Sequence, residues 1–168
     1  MLIGSRGLLP VATFLDTLAQ RSFGFFDAPT LFWWARSDTS ITVGVVVGLL
    51  LSLFALVASL KHRLASKVGW LVRPALGLMA FLYLSYATAG RVFFGFQWDN
   101  LLVECTVIAA LTPRRARSTW AIWAIRLLLF KLYFESGIAK AQSYLHDWQD
   151  GSAMTFYYET APIPTRLA

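Results

Sequence analysis

The sequence predicts an all-α integral membrane protein: a polytopic transmembrane helix bundle of four spans, preceded by an N-terminal interfacial amphipathic helix. Three observations predict it. The 168-residue chain is 57% hydrophobic and only 14% charged, where soluble domains run to about half apolar and about a quarter charged. Four stretches stay apolar over the roughly 20 residues that a helix needs to cross a bilayer. The cations collect between those stretches, where membrane proteins keep their topology signals. A net charge of +6 would suit nucleic acid only if the cations clustered on a water-exposed face, so no nucleic-acid partner is expected. The single cysteine, Cys105, lies inside an apolar run and cannot form an internal disulfide, so it carries no redox information.

Residues 1–40 read as an outer-face interfacial segment. Pro10 can open a helix as its first residue. Val11, Phe14, Leu15 and Leu18 then recur at one-face helical spacing, with Thr13, Asp16, Thr17 and Gln20 opposite. Phe23, Phe25, Phe26, Phe32, Trp33 and Trp34 follow, residue types that gather at the headgroup level. Arg6 is followed by Leu8-Leu9-Pro10 rather than by an apolar h-region and a small-residue cleavage site, so this is not a signal peptide. Ser37-Asp38-Thr39-Ser40 offers several N-cap residues for the first span.

Residues 41–134 read as the four-helix membrane bundle, with spans at about 41–60, 70–89, 93–111 and 119–134. The first two are uncharged over Ile41 to Leu60 and Pro74 to Ala89. The third is apolar except for Gln97, Asp99, Asn100 and Glu104, and the fourth except for Arg126 and Lys131. The first connector holds Lys61, Arg63, Lys67 and Arg73 with His62, the third holds Arg114, Arg115 and Arg117, and the second only Arg91. Cationic connectors stay cytoplasmic, and these alternate as four crossings demand. Both termini are therefore expected on the outer side of a bacterial inner membrane, periplasmic or extracellular, or in the lumen of the endoplasmic reticulum. Residues 135–168 form an outer-face tail rich in acidic and aromatic residues, among them Tyr144, His146, Asp147, Trp148, Asp150, Tyr157, Tyr158 and Glu159. Asp150-Gly151 signals a turn, and Pro162 and Pro164 an extended end. Such a surface suits a protein partner or the headgroups, and sequence does not separate the two.

Ionisable residues inside spans are costly and mark functional positions by default. At 1.5 Å per residue, Glu104 lies roughly 7 Å deeper than Asp99, level with Lys131 or Arg126 of the fourth span. Glu104 is thus expected to face the bundle interior and to meet one of those cations. Lys131 and Glu135, four apart, can also pair along one helix face. Two readings stay open: a polar cavity or relay in the outer half, or ion pairs that fix helix register. Gly44, Gly48 and Ser52 form a small-residue stripe for close helix packing, inside the bundle or onto another protein. His62 and His146 lack neighbours at metal-ligand spacing, so no metal and no cofactor is expected. No catalytic grouping or phosphate-binding loop can be defended.

Four segments carry a family resemblance. They are Ile3-Gly4-Ser5-Arg6-Gly7-Leu8-Leu9-Pro10; Phe96-Gln97-Trp98-Asp99, continuing through Leu101-Leu102 to Glu104; Phe134-Glu135-Ser136-Gly137-Ile138-Ala139-Lys140; and Trp148 through Met154 with Tyr157-Tyr158-Glu159-Thr160-Ala161-Pro162-Ile163-Pro164-Thr165. The chain resembles the lipase maturation factor family of polytopic membrane proteins. That family usually has His where Tyr157 stands and Gln where Ala161 stands. Its members usually run further at both ends, so the resemblance implies a fragment or a shortened relative. It implies a non-catalytic membrane folding or assembly factor for secreted lipases. An accessory subunit on the flank of a larger membrane complex is the alternative. A distant likeness to the vitamin K-dependent carboxylase membrane domain keeps a third, enzymatic reading. The implied partners are membrane lipid and another membrane or secreted protein. The topology brings the four segments to one side of the bilayer, giving a candidate outer-face site of Arg6, Gln97, Trp98, Asp99, Glu104, Lys131, Glu135, Lys140, Tyr158 and Glu159. The Gly4-to-Pro10 segment is expected against the outer end of the third or fourth span.

Cysteine-accessibility labelling checks the topology. Cysteines at Ser66 and Ser118 should react from the cytoplasmic side and a cysteine at Ser152 from the outer side; labelling of position 152 from the cytoplasm alone would refute it.

Overall fold

The computed structural model describes residues 2–60, 68–112, 118–144 and 146–160. Among them all regular structure is helical. The helices are α1 (Val11–Gln20), α2 (Asp38–Leu60), α3 (Val72–Gly90), α4 (Gln97–Leu111), α5 (Thr119–Ala141), α6 (Asp147–Asp150) and α7 (Ser152–Thr160). Short 3-10 turns lie at Leu31–Trp33, Gly69–Leu71 and Arg91–Phe94. The chain divides into two compact units, Met1–Ile125 and Arg126–Ala168. The cations expected to set topology at 61–67 and 114–117, and the proline-bearing end at 162–164, lie outside the described residues.

Among the described residues, length and apolarity alone let two helical stretches cross a bilayer, Asp38–Leu60 and Gly69–Phe94. At 1.5 Å per residue the 23 residues of α2 reach about 34 Å, beyond a hydrocarbon core of about 30 Å. The 15 residues of α4 reach only about 22 Å. The 23-residue α5 is long enough but carries Arg126, Lys131, Glu135 and Lys140. It also runs through the Glu135-to-Lys140 segment that the sequence reading assigns to the tail.

In the first unit α3 is central, packed against α2 and α4. Ser37 caps α2, its Oγ accepting from Ser40 N–H at 3.1 Å, which selects one of the four candidate cap residues. At the far end Arg73 donates from Nε to Ala110 O at 2.8 Å and from Nη2 to Leu111 O at 3.3 Å. It thereby pairs carbonyls that a helix end leaves without partners. This cation, a topology signal in the sequence, also ties the first turn of α3 to the last turn of α4.

The apolar face of α1 turns inward. Val11 and Leu15 are buried with Ile3, Phe32, Ile41 and Ala89, and Phe14, Leu18 and Trp33 pack against that cluster. The sequence reading lays this face on the membrane surface; in the structure it covers the ends of α2 and α3 instead. The helix stops in a Schellman motif, with Ser22 N–H on Ala19 O and Phe23 N–H on Leu18 O, both at 3.0 Å. Ser22 takes the left-handed φ of 63° that glycine usually supplies there.

The small-residue stripe does two different things. A Cβ on Gly44 would collide with the hydroxyl of Tyr86, whereas one on Gly48 would meet nothing within 4 Å. Tyr86 cannot simply swing aside, because its hydroxyl donates to Ile41 O. Gly44→Ala should therefore destabilise by about 1–3 kcal/mol through overpacking, measured by unfolding in mild detergent. Gly48→Ala should be neutral or better, and Tyr86→Phe should restore tolerance at position 44. Equal losses at both glycines would show that the stripe is not a contact of α2 with α3.

Candidate functional site

The end of the first unit that holds the N-terminal segment gathers the family-like residues of that unit. A turn closed by Gly7 N–H on Gly4 O at 2.9 Å seats Ser5 on Asp38. Its N–H and its hydroxyl each donate to a different oxygen of that carboxylate, both at 2.7 Å. The Gly-Ser-Arg-Gly segment is thus anchored on the start of α2. Arg6 beside it is exposed. Arg91, which ends α3 with a left-handed φ of 47°, places its guanidinium 4.4 Å from the ring centre of Phe14.

Asp99 is the buried polar centre of this end, only 5% exposed. It lies in the first turn of α4, where Oδ2 accepts from Phe96 N–H at 3.3 Å and a carboxylate is favoured by the helix dipole. Its Oδ1 accepts from the hydroxyl of Tyr83 on α3. Trp98, by contrast, is 65% exposed and stacks on Phe96 with ring centres 4.6 Å apart. Asp99 therefore faces the protein and fixes the turn, while Trp98 is presented outward with Gln97 beside it on the exposed surface. Glu104 is half-buried one and a half turns further along α4.

Between α2 and α4, over α3, runs an apolar groove of about 420 Å³ lined by Gly44, Gly48, Ser52, Tyr83, Leu102 and Thr106 among others. Its hydroxyls spend their donors at home: Ser52 on Gly48 O at 2.6 Å, Thr106 on Leu102 O at 2.7 Å. What the groove offers is therefore hydrocarbon contact, not polar recognition.

In the second unit the expected helix-face pair forms, with Lys131 Nζ 3.9 Å from Glu135 Oε1. Lys140 Nζ lies 4.4 Å from the ring centre of Trp148, and Gln149 Nε2 donates to Ala141 O at 2.8 Å, so the tail folds back on the end of α5. Asp150-Gly151 is the expected turn, with Gly151 at a φ of 86°. There Asp150 accepts from Ser152 N–H at 2.9 Å, which holds its carboxyl below the usual carboxylate range. Tyr158 packs edge-on against Tyr157 with ring centres 5.8 Å apart, and Glu159 is exposed nearby on α7. His146 pairs through Nδ1 with Gln149 Oε1 at 2.8 Å. Among the described residues no group of three or more His, Cys, Asp or Glu could hold a metal ion.

Tyr83 and Asp38 escaped the sequence reading as site-building residues. A signal existed for the first, since a hydroxyl inside a span needs a partner and a carboxylate is its strongest one.

The profile of the Lipase maturation factor transmembrane domain matches residues 1–168. The chain belongs to the lipase maturation factor family. It is 28% identical to lipase maturation factor 1 of Bos taurus over 187 residues, covering 99% of this chain and 31% of that protein. It is 34% identical to lipase maturation factor 2 of Xenopus tropicalis over 188 residues, covering 99% of this chain and 25% of that protein. Human lipase maturation factor 2 matches at 33% identity over 192 residues, with 99% and 26% covered. The chain thus spans less than a third of the length of these relatives. No solved structure matches it. Membership in this family makes it a membrane protein with a transmembrane domain.

Tyr83→Phe should cost about 1.5–3 kcal/mol, the range for a hydrogen bond to a charged group. Asp99→Ala should cost more, because it strands both the Tyr83 hydroxyl and the Phe96 N–H. Unfolding in mild detergent reads both; an unchanged stability for Asp99→Ala would remove the pair from the fold's supports.

Proposed function

We propose that this chain is the four-span membrane module of a folding factor that matures secreted lipases, without catalytic activity of its own. The observation that supports it most is the match of the family's transmembrane domain over residues 1–168. The relatives it aligns with are named lipase maturation factors. In this reading α4 and α5 cross beside α2 and α3, and both termini lie on the outer side. The client docks at the outer face, on the residues that the resemblance singles out: Arg6, Gln97, Trp98, Asp99, Glu104, Lys131, Glu135, Lys140, Tyr158 and Glu159.

Within that set the roles divide by exposure. Asp99 is buried and positions its neighbours, whereas Trp98 is 65% exposed beside Phe96 at 48%. An exposed aromatic pair held by a buried carboxylate is a rigid anchor of the kind that dominates protein interfaces. A membrane factor acting on a secreted client needs such an anchor on the side where the client folds.

The test is secretion of a lipase by the native host. Deleting the gene should lower lipase activity in the medium while lipase synthesis continues. Trp98→Ala should do the same without unfolding the protein, weakening client capture by about 2 kcal/mol, roughly thirtyfold. Normal lipase output from the deletion strain would overturn the reading.

A further inference from the structure

We propose that the segment Phe23–Trp34 is an aromatic wedge that enters the hydrocarbon of the leaflet on the N-terminal side, with an acyl chain of a bilayer phospholipid seated in the groove beneath Trp34. The inference rests on α2 and α3 crossing the bilayer. Because α3 is a spanning helix, it serves as a depth ruler for whatever lies along it. Measured from Gly90 at the end of α3, Ser85 is about 7 Å and Phe81 about 13 Å along the axis, against about 15 Å for half of a hydrocarbon core. The segment descends that ruler. Thr88 Oγ1 donates to Pro29 O at 3.4 Å, Thr30 Oγ1 to Ser85 O at 3.1 Å, and Leu31 N–H to Ser85 Oγ at 3.1 Å. The ring of Phe25 reaches Phe81, with centres 6.2 Å apart.

Non-helical backbone at membrane depth is tolerated only where its polar groups find partners in the protein. Several polar groups of this segment find such partners. Besides the bonds to α3, Phe32 N–H donates to Thr30 Oγ1 at 3.3 Å and Trp33 Nε1 to Ala28 O at 2.9 Å. Pro29 has no N–H to satisfy. The bulky side chains turned away from the protein are aromatic: Phe26 is 96% exposed and Trp34 71%. Phe25 joins them, 5.7 Å from Phe26 and 5.2 Å from Trp34 between ring centres. Three touching aromatic rings with two so exposed would be a liability in water; in the upper leaflet they are the residue types that bilayers hold. Asp27, exposed within the segment, has its carboxylate engaged at home, accepting from Gly24 N–H at 2.8 Å.

The groove under Trp34 has about 500 Å³ of space and a graded lining. Along α2 its lining passes from Ser37 and Ser40 to Val43 and Val47, with Leu82 contributed by α3. That order of polarity is the order of a phospholipid running from glycerol esters into an acyl chain, in the same direction along α2. The alternative occupant, a second protein, is an outcome of the test below.

The full chain is prepared with Cys105→Ser, so that Phe26→Cys carries the only thiol, and labelled with an environment-sensitive fluorophore in phosphatidylcholine vesicles. Thr17→Cys, on the exposed face of α1, and Val46→Cys, on the exposed face of α2, are prepared alike, and Trp34→Cys is a second wedge position. The label at position 26 should lose most of its emission to a nitroxide near the top of the lipid acyl chain and little to aqueous iodide. Position 17 should show the reverse, and position 46 should respond to acyl-chain nitroxides. Iodide quenching at positions 26 and 34 equal to that at 17 would overturn the wedge. Protection of both from iodide and nitroxide would overturn it too, by showing a protein cover. If position 46 also ignored every lipid nitroxide, the spanning reading itself would fall, not the wedge alone.

Discussion

The first unit hangs on the hydroxyl groups of one short stretch of α3. Tyr83, Ser85, Tyr86 and Thr88 each bond a different part of the chain: Asp99 at the start of α4, the turn at Thr30 and Leu31, Ile41 O in α2, and Pro29 O. In hydrocarbon, apolar packing gives no net drive for helices to associate, because lipid tails are as apolar as leucine. What separates the right arrangement from others is the pairing of polar groups and the fit of small residues. Here the two coincide. Tyr86 donates across to α2 at the place where Gly44 lets the backbones approach, and its ring stands edge-on to Phe32 at 5.2 Å. The same helix residues therefore tie α2, α4 and the N-terminal segment to a single support.

Helical class, the borders of α2 and α3, and the family were legible in the sequence. The reason is physical: uncharged runs such as Ile41 to Leu60 admit few other fates, and the cap at Ser37 is a local rule. The double use of Gly44 and Gly48 was half legible. Spacing places both on one stripe, but only the packed neighbour decides that Gly44 meets Tyr86 while Gly48 faces open space. The side of α1 was legible and its destination was not. Val11 and Leu15 mark an apolar face equally well for a membrane surface or for the ends of two helices, and periodicity cannot tell lipid from protein.

For the candidate site, the pair of Lys131 with Glu135 followed from helix spacing, whereas the pair of Tyr83 with Asp99 joins residues on different helices. Tyr83 sits in a run that reads as uniformly apolar, and nothing local marks its hydroxyl as different from that of Tyr86. Ser5 and Asp38, too far apart in the chain for any periodicity to link, meet because a turn at Gly4 to Gly7 and the start of α2 come to one place.

The position of Asp99 gives a buried carboxylate a structural task at the start of a helix. The first turn of any helix leaves N–H groups without partners and carries partial positive charge. A carboxylate there meets a need that the backbone itself creates, and Phe96 N–H uses one of its oxygens. The remaining oxygen would be stranded in a buried place, and Tyr83 supplies its donor. Once both are satisfied the turn has no freedom left, and the residue before Asp99 is held at a fixed outward angle. That residue is Trp98. A Phe-Gln-Trp-Asp run is thus a small device in which the acid is structural and the indole is displayed. Its carboxylate serves the presentation of its neighbour.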